Sequence, residues 1–221
     1  MIDATLHHPC NVIITGSTGA GKTTLCAFLL KYRHLIFAIE KPLVIWFYRE
    51  GCGGQKIYEY LKDEKLVDEF HAVNKNGFGD IKDFINNFPR SQNKIFIYDD
   101  LLTEISADAA EIFINLSHHQ NLTNILLSQS LYLSNENLRI MTKNAHYHFL
   151  CRNLKGKGEY VTFSKQLEPT NSKMVMSIIT DALKKPFSHI LIDSHPKSNP
   201  RTRFRSYNFA DVKYITVYLE S

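Results

Sequence analysis

Residues 16–23 have the sequence GSTGAGKT, which matches the phosphate-binding pattern G-x-x-x-x-G-K-[ST] at every fixed position. They follow the apolar residues 12–14 and lead into a helix-like stretch, residues 23–32. Glycines let the backbone curve around a phosphate with its N–H groups inward, and the following helix directs its positive end at the same anion. The alternative is an ordinary glycine-rich turn. The pattern in this context predicts a nucleoside triphosphate site.

Two side chains of this motif have separate chemical roles. Lys22 would reach the β- and γ-phosphates, and the hydroxyl of Thr23 would bind Mg²⁺. We therefore expect ATP and Mg²⁺ as the ligands. The residues predicted to contact the nucleotide are Gly16, Ser17, Thr18, Gly19, Ala20, Gly21, Lys22, Thr23 and Thr24.

Polar side chains also follow two later apolar runs. Asp99 and Asp100 come after residues 95–98, and Gln129 comes after residues 124–128. Asp99 would hold Mg²⁺, and Asp100 would polarise the attacking water. The Gln129 amide could contact the γ-phosphate or that water. Alternatively, the two aspartates only cap the next turn. The metal ligands are thus predicted as Thr23 and Asp99, and the catalytic residues as Lys22, Asp100 and Gln129.

The elements that must position these groups alternate along the chain. Short apolar runs alternate with helix-period segments, which is typical of a mostly parallel sheet covered by helices. The predicted strands are residues 11–15, 43–47, 69–73, 95–98, 124–128, 145–150 and 189–192. We expect one α/β domain over residues 1–221, with a core at about 10–195 and a basic C-terminal strand segment at about 196–221.

Helical spacing of apolar residues occurs in three further segments, residues 81–88, 109–116 and 175–182. Asp80 is placed to cap the first of these helices. The alternation in residues 201–219 suggests terminal strands, added antiparallel at the sheet edge. Residues 51–54 contain three glycines but lack the G-x-G-x-x-G spacing, so they are interpreted as a turn.

Composition narrows the class of protein. The chain has 221 residues, of which 44% are hydrophobic and 22% charged, as in a globular domain. Its apolar runs are too short to span a bilayer, and its start does not resemble a signal peptide. The spacing of the cysteines and histidines predicts no metal site. Cys26 and Cys151 are expected in the core, in a reducing compartment.

The net charge of +4 is small, but its distribution is uneven. Basic residues crowd the last forty positions, where we expect either a solvated edge or a surface that faces a polyanion. The basic residues of this group are Lys184, Lys185, Lys197, Arg201, Arg203 and Arg205.

Several segments together resemble one family of motors. They are residues 16–23, DDLL at 99–102, SHHQNLTNI at 117–125, SQSL at 128–131, NAHY at 144–147 and LIDSHP at 191–196. The chain resembles DNA-packaging ATPases of the HerA/FtsK P-loop superfamily, especially the short versions encoded by double-stranded DNA viruses and by Maverick/Polinton-type elements. The segment leading into Gln129 is the specific part of this likeness, which spans about residues 10–200.

The resemblance implies a RecA-like core in a ring, a hexamer or pentamer, that pumps duplex DNA into a preformed capsid at its portal vertex. It also implies action inside an infected host cell, in the nucleus or cytoplasm, without a membrane. ATP would lie between subunits, so a neighbour would supply an arginine. Relatives commonly have glutamate where this chain has Asp100, and often arginine where it has His118. Either Arg139 or Arg152 then acts in trans, or the arginine supplied by the neighbour lies elsewhere.

Two other functions fit the motif. A small-molecule kinase would need an arginine-rich lid, and no compact Arg-x-x-x-Arg segment lies between Asp99 and Gln129. A non-catalytic switch or assembly factor would use ATP only to hold an oligomer together. Asp100, one methylene shorter than the glutamate of the relatives, keeps this possibility open.

Overall fold

The computed structural model describes residues 4–37, 39–52, 56–74, 81–101, 105–132, 136–153 and 156–219. Within these ranges, nine strands form one sheet, flanked by helices. The strands are β1 (Asn11–Thr15), β2 (Leu43–Arg49), β3 (Glu69–Val73), β4 (Lys94–Asp99), β5 (Leu122–Ser128), β6 (Tyr147–Cys151), β7 (His189–Asp193), β8 (Phe204–Tyr207) and β9 (Ile215–Val217). The predicted α/β fold with a central, mostly parallel sheet is confirmed.

The strand order is β3-β2-β4-β5-β1-β6-β7-β8-β9, and the first six strands of this order are parallel. Every residue of β1, β4 and β5 is buried, as expected for strands covered by helices on both faces. The strand β5 lies between β1 and β4, and the carboxyl ends of all three meet at one edge of the sheet. That edge therefore collects the residues that follow each of these strands.

The C-terminal strands run antiparallel, as the sequence suggested. β7 pairs with β6, β8 with β7, and β9 with β8. All seven strands predicted within residues 11–192 begin and end within two residues of the predicted bounds. β6 begins at Tyr147, two residues later than predicted. Residues 51–52 form a turn, whereas the other two predicted turn residues lie outside the described ranges.

Helices cover both faces of the sheet and build separate apolar cores. One core contains side chains of residues 25–30 with Ile14, and another contains those of residues 81–85 and 105–113 with Ile13. The alternation of Ile13 and Ile14 follows from the two-residue period of a strand. The helices are α1 (Lys22–Lys31), α2 (Arg33–Ile36), α3 (Lys56–Asp63), α4 (Ile81–Asn86), α5 (Ala107–Glu111), α6 (Ser117–His119), α7 (Glu136–Lys143), α8 (Lys157–Leu167) and α9 (Ser172–Ala182).

The helix predicted over residues 109–116 differs from an ordinary α-helix. After α5 the chain forms a π-helical segment, Ile112–Leu116, before α6. The side-chain amide of Asn11 donates to the carbonyl of Phe113 inside this segment. A widened turn of this kind alters the partners of its carbonyl groups, and periodicity alone does not reveal it. The expected capping residue Asp80 lies outside the described ranges.

The basic C-terminal residues do not form one surface, which corrects the expectation of a single cluster. Arg205 is fully buried and forms an ion pair with Asp193 at 2.9 Å, so it is a structural residue. Arg203 is paired with Glu168. The remaining members are exposed but separate, because they flank opposite ends of β7: Lys184 and Lys185 precede it, and Lys197 and Arg201 follow it.

Three of the four cysteines, Cys10, Cys26 and Cys151, are buried with free thiols. The expectation that Cys26 and Cys151 lie in the core is therefore confirmed. No helix among the described residues is long and apolar enough to cross a bilayer.

Candidate nucleotide-binding site

The phosphate loop joins β1 to α1 at the carboxyl edge of the sheet. A Cβ at Gly16 would lie 2.8 Å from the Cβ of Cys151, so only glycine lets the loop pass this close to β6. Gly21 immediately precedes α1 with φ of +91°, a conformation that glycine adopts without a steric penalty. Gly21 offers no side-chain cap, so the first N–H groups of α1 stay free for an anion.

The side chain of Lys22 folds back over this loop. Its Nζ donates to the carbonyl oxygens of Gly16 at 2.8 Å and Ser17 at 3.2 Å. Burial lowers the pKa of the Lys22 ammonium, while the charges of Asp100 and Asp99 oppose the shift. The positive charge is thus held at the centre of the loop, where phosphate oxygens would replace the two carbonyls as its partners.

Thr23 and Thr24 lie in the first turn of α1, Thr23 half-buried and Thr24 exposed. A hydroxyl at the position of Thr23, directly after the lysine, is a suitable Mg²⁺ ligand. Ser17, Thr18, Gly19 and Ala20 line an open cavity of about 700 Å³. Four of the nine predicted nucleotide contacts therefore line one cavity, and the others adjoin them in the chain.

Asp99 ends β4 and is buried, with 8% of its surface exposed. The hydroxyl of Tyr58, on α3, donates to its Oδ2 at 2.8 Å. Burial raises the pKa of the Asp99 carboxyl to about 6, and the charge of Asp100 adds to the shift, although Tyr58 and Lys22 oppose it. A nearby cation would stabilise the charged form of this buried carboxylate. One such oxygen ligand with the Thr23 hydroxyl suits Mg²⁺ carried by nucleotide phosphates.

Asp100 and Gln129 are in direct contact, although 29 positions separate them in the sequence. The amide Nε2 of Gln129 donates to Oδ1 of Asp100 at 2.7 Å. Asp100 has a φ of +53°, a left-handed conformation that aspartate tolerates better than most side chains. Gln129 lines the phosphate-loop cavity, so the pair stands beside the loop on the β5 side. The geometry suits two groups that orient one water molecule.

The two candidate arginines lie at different places. Arg152 directly follows β6 and lines the same cavity as residues 17–20 of its own chain. Arg139 is exposed on α7 and lines a separate cavity with Tyr132 and His148. His118 lies in α6.

The sequence analysis missed several residues at the site, among them Tyr58 and Phe187. Tyr58 reaches Asp99 from 41 positions away, and nothing in the local pattern around it indicates this. Phe187 lines the phosphate-loop cavity from the segment before β7. Its one sequence signal is its place after Pro186, which by itself indicates only that the helix of residues 175–182 has ended.

A phosphate loop between β1 and α1, with an acidic strand end separated from β1 by one strand, defines a P-loop NTPase. The structure resembles that of the genome packaging NTPase B204 from Sulfolobus turreted icosahedral virus 2 in complex with ATP-gammaS. The TM-score is 0.57 at 14% identity, over 96% of this chain and 98% of that one. The complex of the same protein with AMPPCP gives a TM-score of 0.51 at 17% identity, over 87% and 94%.

The family model of the poxvirus A32 protein matches residues 2–216, so the chain belongs to that family. This is a family of viral genome packaging ATPases, and the predicted relationship and ATPase class are confirmed. No curated protein sequence matched the chain.

Proposed function

We propose that this chain is the ATP-hydrolysing motor that moves double-stranded DNA into a preformed viral capsid. The observation that carries the proposal is the meeting of three groups at one sheet edge: the loop around Lys22, the buried carboxylate of Asp99, and the contact between Asp100 and Gln129. A site built only to hold ATP would need the first two groups but not the third.

Each residue then has a defined task. Lys22 and the open N–H groups of α1 bind the triphosphate, while Thr23 and Asp99 hold the Mg²⁺ that neutralises phosphate charge. Asp100 accepts a hydrogen bond from the attacking water and so polarises it for attack on the γ-phosphate. Gln129, hydrogen-bonded to Asp100, positions that water and senses whether the γ-phosphate is present.

The motor is proposed to work as a homo-oligomeric ring, with ATP at the boundary between subunits. The Asp100–Gln129 pair is open to solvent, so a neighbouring subunit could reach it. Arg139 is exposed, which makes it the better candidate for an arginine supplied in trans. Arg152 lines its own chain's cavity, and its proposed role is therefore to bind phosphate in cis.

The partners proposed for this ring are duplex DNA, bound without sequence preference, and the portal vertex of a capsid inside the infected host cell. Contacts between exposed lysine and arginine side chains and the DNA phosphates would supply the affinity for DNA. Rates of ATP hydrolysis with and without duplex DNA test the proposal. We expect stimulation by DNA and no turnover in Lys22→Ala.

A further inference from the structure

Phe187 is an aromatic residue that the core does not use. It is 68% exposed, and its backbone has a φ of +58°. A bulky side chain is rare in this left-handed conformation, and such strained residues concentrate at ligand sites. The protein therefore holds a large apolar ring in water on a strained backbone, at a cost that packing within the chain does not explain.

The ring lies beside the entrance of the phosphate loop. Its Cδ1 is 3.6 Å from the position that a Cβ on Gly21 would occupy, at the start of α1. Phe187 also lines the cavity formed by residues 17–20. A nucleotide seated on the loop would have Phe187 as its neighbouring aromatic side chain.

The strand order fixes which end of the nucleotide approaches Phe187. The Mg²⁺ ligand and the hydrolytic pair follow β4 and β5, on one side of β1, so the γ-phosphate must point that way. The rest of the nucleotide then leads toward the opposite side of β1, where β6 and β7 lie. Phe187 stands two residues before the first residue of β7, at the end where the base would arrive.

Phe187 also lines a second cavity, of about 690 Å³. Its lining includes Phe209 and Tyr214, which are 45% and 67% exposed. Three of the large exposed apolar side chains in the described residues thus line one cavity, and Phe187 also lines the phosphate-loop cavity. Flat aromatic surfaces of this kind stack favourably on nucleobases.

We propose that Phe187 stacks on the base of the bound nucleotide and so sets the affinity for ATP over a bare polyphosphate. This inference rests on the phosphate-loop site of the proposed function but assigns a residue that the motif does not contain. The ring contacts the base alone, while Lys22 and the loop hold the phosphates.

Calorimetric titrations with Mg²⁺–ATP and with inorganic tripolyphosphate separate the two contributions. Phe187→Asn removes the ring, and asparagine accepts positive φ, so the local backbone should persist. We expect it to weaken ATP binding by about tenfold or more and to leave tripolyphosphate binding unchanged. Phe187→Tyr should retain the affinity for ATP. The matched control is Leu35→Ala, another exposed apolar residue on α2, which should change neither titration.

Phe187→Trp gives a second readout in the same protein. The chain has one native tryptophan, Trp46, which is fully buried. An indole at position 187 should be quenched by ATP and not by tripolyphosphate, after subtraction of the wild-type signal.

Two results would overturn the inference alone: unchanged ATP affinity in Phe187→Asn, or equal weakening of ATP and tripolyphosphate. Failure of the wild-type chain to bind tripolyphosphate would instead refute the phosphate-loop site, and the stacking role with it.

Discussion

At the scale of single residues, the buried carboxylate of Asp99 lowers the stability of the folded protein when it is charged. Its folded pKa of about 6 lies above its ordinary value of 3.8, so the folded protein binds more protons than the unfolded chain between these values. Stability from this group is therefore highest at low pH and is lost as the pH rises toward and through 6. At neutral pH the site stores unfavourable electrostatic energy that Mg²⁺ can relieve.

Asp99→Asn should accordingly stabilise the ATP-free protein at pH 7.5, by up to about 3 kcal/mol, because it removes a buried charge. The gain should shrink as the pH falls below 6. Thermal unfolding at pH 7.5 and pH 5, without nucleotide, measures it.

The same variant should lose the extra stability that wild-type protein gains from Mg²⁺–ATP, since a neutral amide is a poor metal ligand. The solvent-facing Asp181→Asn serves as the control and should leave the response to Mg²⁺–ATP intact. If Asp99→Asn is less stable than the wild type at neutral pH, burial of the Asp99 charge does not destabilise the folded protein.

Gln129 gives a prediction that separates sensing from binding. Gln129→Ala should leave the Kd for ATP near its wild-type value, because the loop and Lys22 remain. It should lower kcat by about 10²-fold, since a group that orients the attacking water is gone. Equilibrium titration and steady-state turnover measure the two quantities separately. Loss of ATP binding in this variant would refute its role as a sensor.

The sequence predicted the motif residues of the site but not all of their partners. Residues 16–24 are contiguous, so their spacing carries the information directly. The contact between Asp100 and Gln129 depends on which strands are neighbours. Tyr58 and Phe187 come from distant segments with no motif, and only the packed fold brings them to the loop.

At the scale of secondary-structure elements, apolar runs located the strands well, because buried parallel strands are apolar throughout. Such patterns do not predict the order of the strands in the sheet. Placement of β5 between β1 and β4 follows from packing and determines that Gln129 stands between the loop and the acidic strand end. The π-helical segment before α6 was also missed, since a one-residue widening hardly changes the apolar spacing.

At this scale we predict which of the basic residues beside β7 bind DNA. Lys197 and Arg201, beyond its C-terminal end, are exposed, and we expect them to contact DNA phosphates. The double variant Lys197→Ala/Arg201→Ala should weaken duplex binding and reduce the slope of log K against log salt by about two. Fluorescence anisotropy across a salt series measures this slope.

Lys184→Ala/Lys185→Ala is the matched control, because it removes the same charge at the other end of β7. Its slope should remain that of the wild type. Equal losses in both double variants would mean that only net charge matters. Arg205 is excluded from this test, since its removal would leave the buried carboxylate of Asp193 without its ion-pair partner and cost about 3–5 kcal/mol.

At the scale of the whole molecule, the chain is one nucleotide-binding sheet extended by antiparallel strands, and its site is open at one edge. In the proposed ring, ATP turnover is coupled to the presence of duplex DNA. The most direct measurement is the steady-state rate of ATP hydrolysis with and without long duplex DNA at low salt, together with the particle mass in ATP.

We predict a multi-subunit particle whose turnover rises when duplex DNA is added. The stimulation should fall as salt is raised and should be absent in Lys22→Ala. An assembled ring that hydrolyses ATP at the same rate with and without duplex DNA at low salt would contradict the account.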